Sequence, residues 1–408
     1  MSSPHPAAAR PWGLVALLVV GMTISFFDRG NLSVAAPVIG PELGIKPTEF
    51  GWLFSAFFFT YAFCQIGVGW LCDRIDVKWV YAGGFLLWSA ATLGTAAMTG
   101  FAGFLTMRLL LGVGESVTYP ATARILAVVI PEHRRGLANS LIDAFGARIG
   151  PAIGIACGAW LMADHGWRSL FIIVGVAGLI WLVPWLLFAP RLRHAEPVTA
   201  TGAASKAPGI GWRELFRRRA FWGTCGGLMG ANYAWYFVLT WLPSYLVNER
   251  HFSLKSMGVI GAYPFLIMVL PSLGGGMLAD RLIARGGSPV RTRQRFLVIG
   301  LLLTSVLLPL TVVSDLNWAL AALFTSCFTL GVYASNLHAL TQALAGPAAA
   351  GRWTGLQNAC GNIPGFVAPV VTGWIVATTG QYFAAFIAAG AACLVGAVCF
   401  GLLVTEEK

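Results

Sequence analysis

The sequence predicts an all-α membrane protein with twelve transmembrane helices in two six-helix halves. Three observations carry that reading. The 408 residues are 57% hydrophobic and only 11% charged, a balance outside the range of soluble domains. Apolar runs recur from Trp12 to Val404, each near the roughly 20 residues of helix that cross a hydrocarbon core about 30 Å thick. Motifs in the first part of the chain also recur in the second. Gly69-Trp70-Leu71-Cys72-Asp73-Arg74 returns as Gly276-Met277-Leu278-Ala279-Asp280-Arg281, and Gly136, Gly146, Gly150 and Gly158 return as Gly351, Gly361, Gly365 and Gly373, as in an internal duplication.

Taken in order, the run centred near residue 24 carries Asp28 and Arg29 and lacks a small-residue cleavage pattern. It reads as a retained span rather than a signal peptide. The second run, near residue 60, holds Tyr61 and Gln65 one turn apart and ends in the motif at Gly69; the third is centred near residue 89. Runs four and five, near residues 115 and 148, are joined by the basic turn Pro131-Glu132-His133-Arg134-Arg135-Gly136, and the sixth is near residue 178. Arg191 to Arg219 then breaks the apolar pattern with small residues, Pro and scattered charge, a composition that cannot bury a core. The expected boundaries are an N-terminal half at 1–190, a cytoplasmic linker at 191–217 and a C-terminal half at 218–408. The second half repeats the arrangement, with centres near residues 232, 268, 304, 331, 363 and 393.

The net charge of +11 does not point to nucleic acid, because its distribution has a membrane explanation. Of 27 Lys and Arg, 19 fall in the terminal tails and in the connections after spans 2, 4, 6, 8 and 10. The opposite connections carry Lys46, Arg168, Arg250 and Lys255. This asymmetry places both termini in the cytoplasm. The eight cysteines stand in no CxxC arrangement and read as small apolar packing residues. No metal set, cofactor motif or nucleophile with a base at workable spacing is visible, so neither an enzyme nor a cofactor is expected.

Charged side chains in a hydrocarbon-length segment cost at least about 2.5 to 3.5 kcal/mol each at its centre. Asp28, Arg29, Arg108, Glu115, Asp143 and Arg148 therefore call for a partner or a task. Counted from the ends of their spans at 1.5 Å per residue, Arg29 and Arg108 both fall in the outer third, where they can share one anion. Arg108, Glu115 and Tyr119 are spaced to share one face of span 4, the expected cavity face. Glu115 and Asp143 reach similar depth. Two carboxylates in a low-dielectric cavity resist double ionisation, so one is expected to hold a proton.

The three acids and three arginines sum to zero. A bound monoanion leaves one excess negative charge, which one proton neutralises; this predicts one-to-one symport. Arg148 would add a second anion contact or serve a dianion. The alternative is a set of static ion pairs that fix helix packing, although buried pairs stabilise poorly compared with apolar residues. The second half offers polar and aromatic groups instead: Asn232, Tyr233, Tyr236 and Thr240 in span 7, Asn336 and His338 in span 10, and Gln357, Asn358 and Asn362 in span 11. Such groups bond hydroxyls or ring substituents without requiring a charge.

The motif at Gly69 and its copy at Gly276, the twelve spans and the central linker together resemble the major facilitator superfamily over nearly the whole chain. Within it, three stretches are similar to the anion:cation symporter family. They are Asp28-Arg29; Arg108 followed by Gly112, Gly114, Glu115 and Tyr119-Pro120; and Leu239-Thr240-Trp241-Leu242-Pro243-Ser244-Tyr245-Leu246. That family includes carriers of sugar acids and other organic anions, usually coupled to protons. The resemblance implies the major facilitator fold, an organic anion as substrate, Glu115 and Asp28 as coupling residues and Tyr61 as a substrate contact. It also implies that Gly69, Asp73, Arg74, Asp280 and Arg281 stabilise one state of an alternating-access cycle through charge-assisted hydrogen bonds at the membrane edge. The family pattern has a glycine three residues after the motif Asp, where this chain has Asp76, and the positions of Asp143 and Arg148 are usually uncharged.

The expectation is thus a monomeric inner-membrane carrier that imports an organic anion, a carboxylate such as a sugar acid or aromatic acid, with protons. Its partners are that anion, protons and the lipid bilayer. An anion exchanger or drug:proton antiporter is the nearest rival, since Gly146-x3-Gly150-Pro151-x2-Gly154 resembles a glycine pattern of such antiporters. The same spacing also lets two helices approach closely. A non-transporting receptor on a carrier fold is the rival of another class.

Overall fold

The computed structural model describes residues 11–189 and 212–405, apart from the side chains of a few positions within them. The proposed linker therefore lies mostly outside the described residues. The helices are α1 (Pro11–Leu43), α2 (Pro47–Arg74), α3 (Val77–Thr95), α4 (Phe101–Glu115), α5 (Thr118–Val129), α6 (Glu132–Ile142), α7 (Gly150–His165) and α8 (Trp167–Phe188). They continue with α9 (Trp212–Arg217), α10 (Arg219–Asn248), α11 (Leu254–Ile267), α12 (Val269–Ala284), α13 (Pro289–Leu307), α14 (Leu316–Thr379) and α15 (Phe383–Leu403). No strand occurs among the described residues. Among the described residues, eight helical stretches are long and apolar enough to cross a membrane. The other expected spans are also helical: α2, α3, the α4–α5 pair and α10.

Two spans are interrupted where the sequence suggests continuity. Span 4 breaks at Ser116 and Val117, whose backbones stay in the right-handed helical region, so the break shifts register without reversing the chain. Span 5 carries a π-helical stretch, Asp143–Ile149, between α6 and α7. Such bulges occur often at functional sites. In contrast, α14 is one 64-residue helical run that holds two spans, Leu316–Ala345 and Trp353–Thr379. The Thr341 hydroxyl donates to Gln357 Oε1 at 2.8 Å, whereas 16 residues of straight helix would separate them by about 24 Å. The run must fold back between these two residues.

The chain forms two compact units, Met1–Gly202 with Leu246–Gly261, and Ala203–Tyr245 with Ala262–Lys408. In the first, glycines set the closest helix crossings. A Cβ on Gly114 would lie 2.7 Å from Trp88 N and 2.8 Å from Gly84 O, which brings α4 directly onto α3. Gly146, Gly150 and Gly154 face Met22, Phe26 and Phe27 of α1 at similarly short range, so here the glycine pattern of span 5 performs helix packing. The second unit repeats the device: Gly361, the counterpart of Gly146, faces Leu228 of α10. At one end of the first unit, Glu42 accepts from Trp167 Nε1 at 2.9 Å and from Arg168 at 2.8 Å, and Lys255 pairs with Asp164 at 2.8 Å.

Candidate functional site

The centre of the first unit is a buried polar group built from α1, α2, α3 and α4. Ser25 and Arg29, one turn apart on α1, both donate to Glu115 Oε2, at 2.7 and 2.8 Å. Glu115 is 0% exposed and Arg29 only 7%. The Arg29 guanidinium lies over the rings of Phe26, Phe57 and Tyr61, at 4.3, 5.3 and 4.6 Å from their centroids, an arrangement in which three π faces supplement one carboxylate. Its Nη2 is buried with no hydrogen-bond partner. An unmet buried donor costs about 1–3 kcal/mol and calls for a functional reason.

Arg108 completes the cationic side. It is 4% exposed, donates from Nε to Leu53 O at 3.2 Å and lies 5.0 Å from the Phe57 centroid. Since both guanidinia flank Phe57, their separation is bounded at about 10 Å. Tyr61 stacks on Phe57 at 5.5 Å and is 4% exposed. Asp28 faces the other way. Its Oδ1 accepts from Asn31 Nδ2 at 3.0 Å and from Thr92 Oγ1 of α3 at 2.9 Å, while Oδ2 is buried without a partner.

Asp143 and Arg148 face each other within the π-helical stretch of span 5. Their closest N–O distance is 3.9 Å, and their side chains are 58% and 22% exposed. The structure thus brings Asp28, Arg29, Tyr61, Arg108 and Glu115 together, and pairs Asp143 loosely with Arg148 rather than with Glu115. Tyr119 follows the interruption of span 4 and is 42% exposed.

In the second unit, the Tyr236 hydroxyl donates to Asn362 Oδ1 at 2.9 Å, Asn362 donates to Asn358 O at 3.1 Å, and Asn232 donates to Gly361 O at 2.7 Å. Gln357 is nearly fully buried; besides accepting from Thr341, it reaches Thr224 O at 3.4 Å. Asn358 and its counterpart Asp143 are both exposed, as is His338. Asn336 is buried near the second motif copy: Arg293 reaches its Oδ1 at 3.4 Å and also pairs with Asp280 at 2.6 Å. Arg281 is exposed.

In the first copy, Arg74 lies over Trp70 at 4.1 Å, and the Asp73 side chain is outside the described residues. The anomalous Asp76 caps α3, accepting from Lys78 N at 3.0 Å. An aspartate at this position satisfies a free helix N–H that glycine would leave to solvent. The sequence reading missed Ser25, Phe57 and Thr92. Ser25 and Phe57 were visible as one-turn neighbours of Arg29 and Tyr61; Thr92 had no signal, because its role exists only once α3 packs on α1.

Comparison with known proteins adds an independent line. The model of the Major Facilitator Superfamily matches residues 18–369 and 290–408. The chain is 34% identical to the probable sulfoacetate transporter of Cupriavidus necator, over 92% of this chain and 89% of that one. It is 30% identical to the probable galactarate/D-glucarate transporter of Escherichia coli strain K12, over 98% and 94% of the two chains. Among solved structures, a bacterial homologue of the human lysosomal transporter Spinster, inward-facing and unoccupied, superposes with a TM-score of 0.76 at 17% identity, over 98% of this chain and 95% of that one.

Proposed function

The chain belongs to the major facilitator superfamily, and from that membership we propose that it imports an organic carboxylate or sulfonate together with protons by alternating access. At the coarser level it is a multi-pass membrane transporter of a small organic anion rather than an enzyme. The finer reading is supported chiefly by one observation, the buried Arg29–Glu115 pair with Arg108 on the same aromatic platform.

In this reading Glu115 and the anion compete for Arg29. While Glu115 is ionised, its Oε2 occupies the guanidinium Nε. Protonation of Glu115 weakens that charge-assisted bond and turns Arg29, with its unpartnered Nη2, toward the substrate. The buried set of Asp28, Glu115, Arg29 and Arg108 is formally neutral, so a monoanion plus one proton leaves it neutral again. A charge taken up alone in a low-dielectric site is strongly disfavoured, and this makes the coupling obligatory.

Arg29 and Arg108 bind the anion, Tyr61 borders it, Glu115 carries the coupling proton and Asp28 assists. Arg148, partly exposed beside Asp143, adds a second contact. Tyr236, Gln357, Asn358 and His338 shape specificity, and Asn336 serves the Asp280–Arg293 latch. The protein acts as a monomer in the bacterial inner membrane with both termini cytoplasmic.

A thermal-shift screen of sulfoacetate, galactarate, glucarate and galactonate on the purified protein tests the substrate class, since a ligand that binds the folded state raises apparent stability by mass action. One of these acids should stabilise the wild type and not Arg108→Ala. Equal stabilisation of both would remove Arg108 from the site.

A further inference from the structure

Beside the anion site lies a second polar region that the coupling scheme leaves unassigned. Glu115 Oε2 is taken by Ser25 and Arg29, yet its Oε1 is buried and accepts from no protein group. Among the described residues, Tyr81 Oη, Trp88 Nε1, Ser89 Oγ and Thr122 Oγ1 are likewise buried without a partner in hydrogen-bond geometry. All five residues are at most 4% exposed. Buried polar groups out of reach of a protein partner are met by ordered water in native proteins. A pocket with several such groups has the two to four partners that each water requires.

Neighbouring contacts fix where these groups stand. The Tyr81 hydroxyl would be 3.1 Å from a Cβ on Gly21. Gly21 is one turn, about 6 Å, before Ser25 on α1. Thr122 is likewise one turn after Thr118, whose hydroxyl donates to Glu115 O at 2.5 Å, and the Tyr81 and Thr122 hydroxyls face each other. Along α1 the Tyr81 hydroxyl thus stands about one turn from Ser25, and along span 4 Thr122 follows Glu115 by seven residues, about two turns, both toward the N-termini of α1 and α3. Arg29 and the Phe57–Tyr61 platform approach Glu115 through its other oxygen.

We propose that this pocket, bounded by Gly21, Tyr81, Thr122 and Glu115, holds water and is the outlet through which the Glu115 proton leaves to the cytoplasm, separate from the anion's path. The proposal rests on the symport reading above. In the step, the O–H bond at Oε1 breaks and the proton forms a bond to a pocket water, which passes it on. The carboxylate left behind re-forms its pair with Arg29. Tyr81 and Thr122 hold the water and stay neutral; they are positioning residues. Charged and titratable groups facing Glu115 are Asp28 and Arg29 from α1, Tyr61 from α2, Tyr81 from α3, Arg108 from α4 and, through Arg29, Tyr119 from α5.

The ring of Tyr81 is held by Trp185 and Trp181, with centroids at 4.6 and 5.8 Å. Tyr81→Phe therefore removes the hydroxyl and keeps the packing, and Thr122→Val is close to isosteric. The test uses full-length protein in liposomes, with an acid found in the stabilisation screen. Uptake driven by a pH gradient is compared with counterflow of labelled against unlabelled anion at one pH. Each variant should lose about tenfold in driven uptake while counterflow stays within about twofold of wild type, and the pH profile of uptake should flatten. Both activities at wild-type level, or both lowered together, would overturn the outlet. Failure of the symport reading is seen separately: wild-type protein would show no driven uptake at all.

Discussion

Arg29 makes the residue-scale case. Its guanidinium is held by one carboxylate and three aromatic faces, and the carboxylate is fully enclosed. Removing one partner of such a pair leaves an uncompensated buried charge, at a cost of about 3–5 kcal/mol, whereas replacing both by apolar groups is often neutral. Arg29→Ala should accordingly lower thermal stability well below wild type, and Arg29→Met combined with Glu115→Leu should recover most of the loss in a denaturation series. A double variant no more stable than Arg29→Ala would mean that the pair does not hold the helices as described. Glu115→Gln, which keeps the shape and hydrogen-bonding capacity, should still bind the anion in the thermal-shift assay and fail to accumulate it against a gradient. The burial of Asp28, Arg29, Arg108 and Glu115 was legible in the sequence, because each stands in an apolar run; Asp143 stands in one too and is exposed. Which charge meets which was not legible: counting depth from span ends grouped Glu115 with Asp143 and Arg148, whereas packing sets Glu115 against Arg29. Depth along a helix says nothing about the azimuth of its neighbours, and the π-helical stretch at Asp143–Ile149 rotates that part of span 5 further.

At the scale of elements, the crossing of α3 and α4 is set by Gly84 and Gly114, whose backbones touch. Gly114→Ala drives a methyl into the Trp88 backbone, and overpacking of this kind costs about 1–3 kcal/mol. Gly83→Ala is the control, because the methyl it adds meets nothing within 4 Å. Melting curves should show a clear fall for the first and little change for the second; equal shifts would contradict the close crossing. The position of Glu115 depends on this contact, since it follows Gly114 directly and ends α4. All twelve spans were legible as apolar runs, and each expected centre lies within a helix or directly beside one. The break at Ser116 and Val117 was not, because both residues keep helical dihedrals and only the hydrogen-bond ladder is interrupted.

For the whole molecule, the duplication of the chain holds in detail: the Gly146–Met22 packing of the first unit recurs as Gly361–Leu228 in the second. Charge is distributed unequally between the copies. The first holds the buried charges and the second holds amides, hydroxyls and His338, which suits a division between coupling and recognition. The cytoplasmic placement proposed for both tails follows from the distribution of Lys and Arg. A cysteine placed after Glu407 should be protected from an impermeant thiol reagent in intact cells and react after permeabilisation; labelling in intact cells would reverse the orientation. Proton coupling itself is read out by simultaneous measurement of anion uptake and internal pH in liposomes with no imposed gradient other than the anion's own. Symport predicts that anion entry carries protons inward, acidifying the lumen with one proton per monoanion, and that Glu115→Gln abolishes the acidification. Uptake that leaves internal pH unchanged in the wild type would refute it.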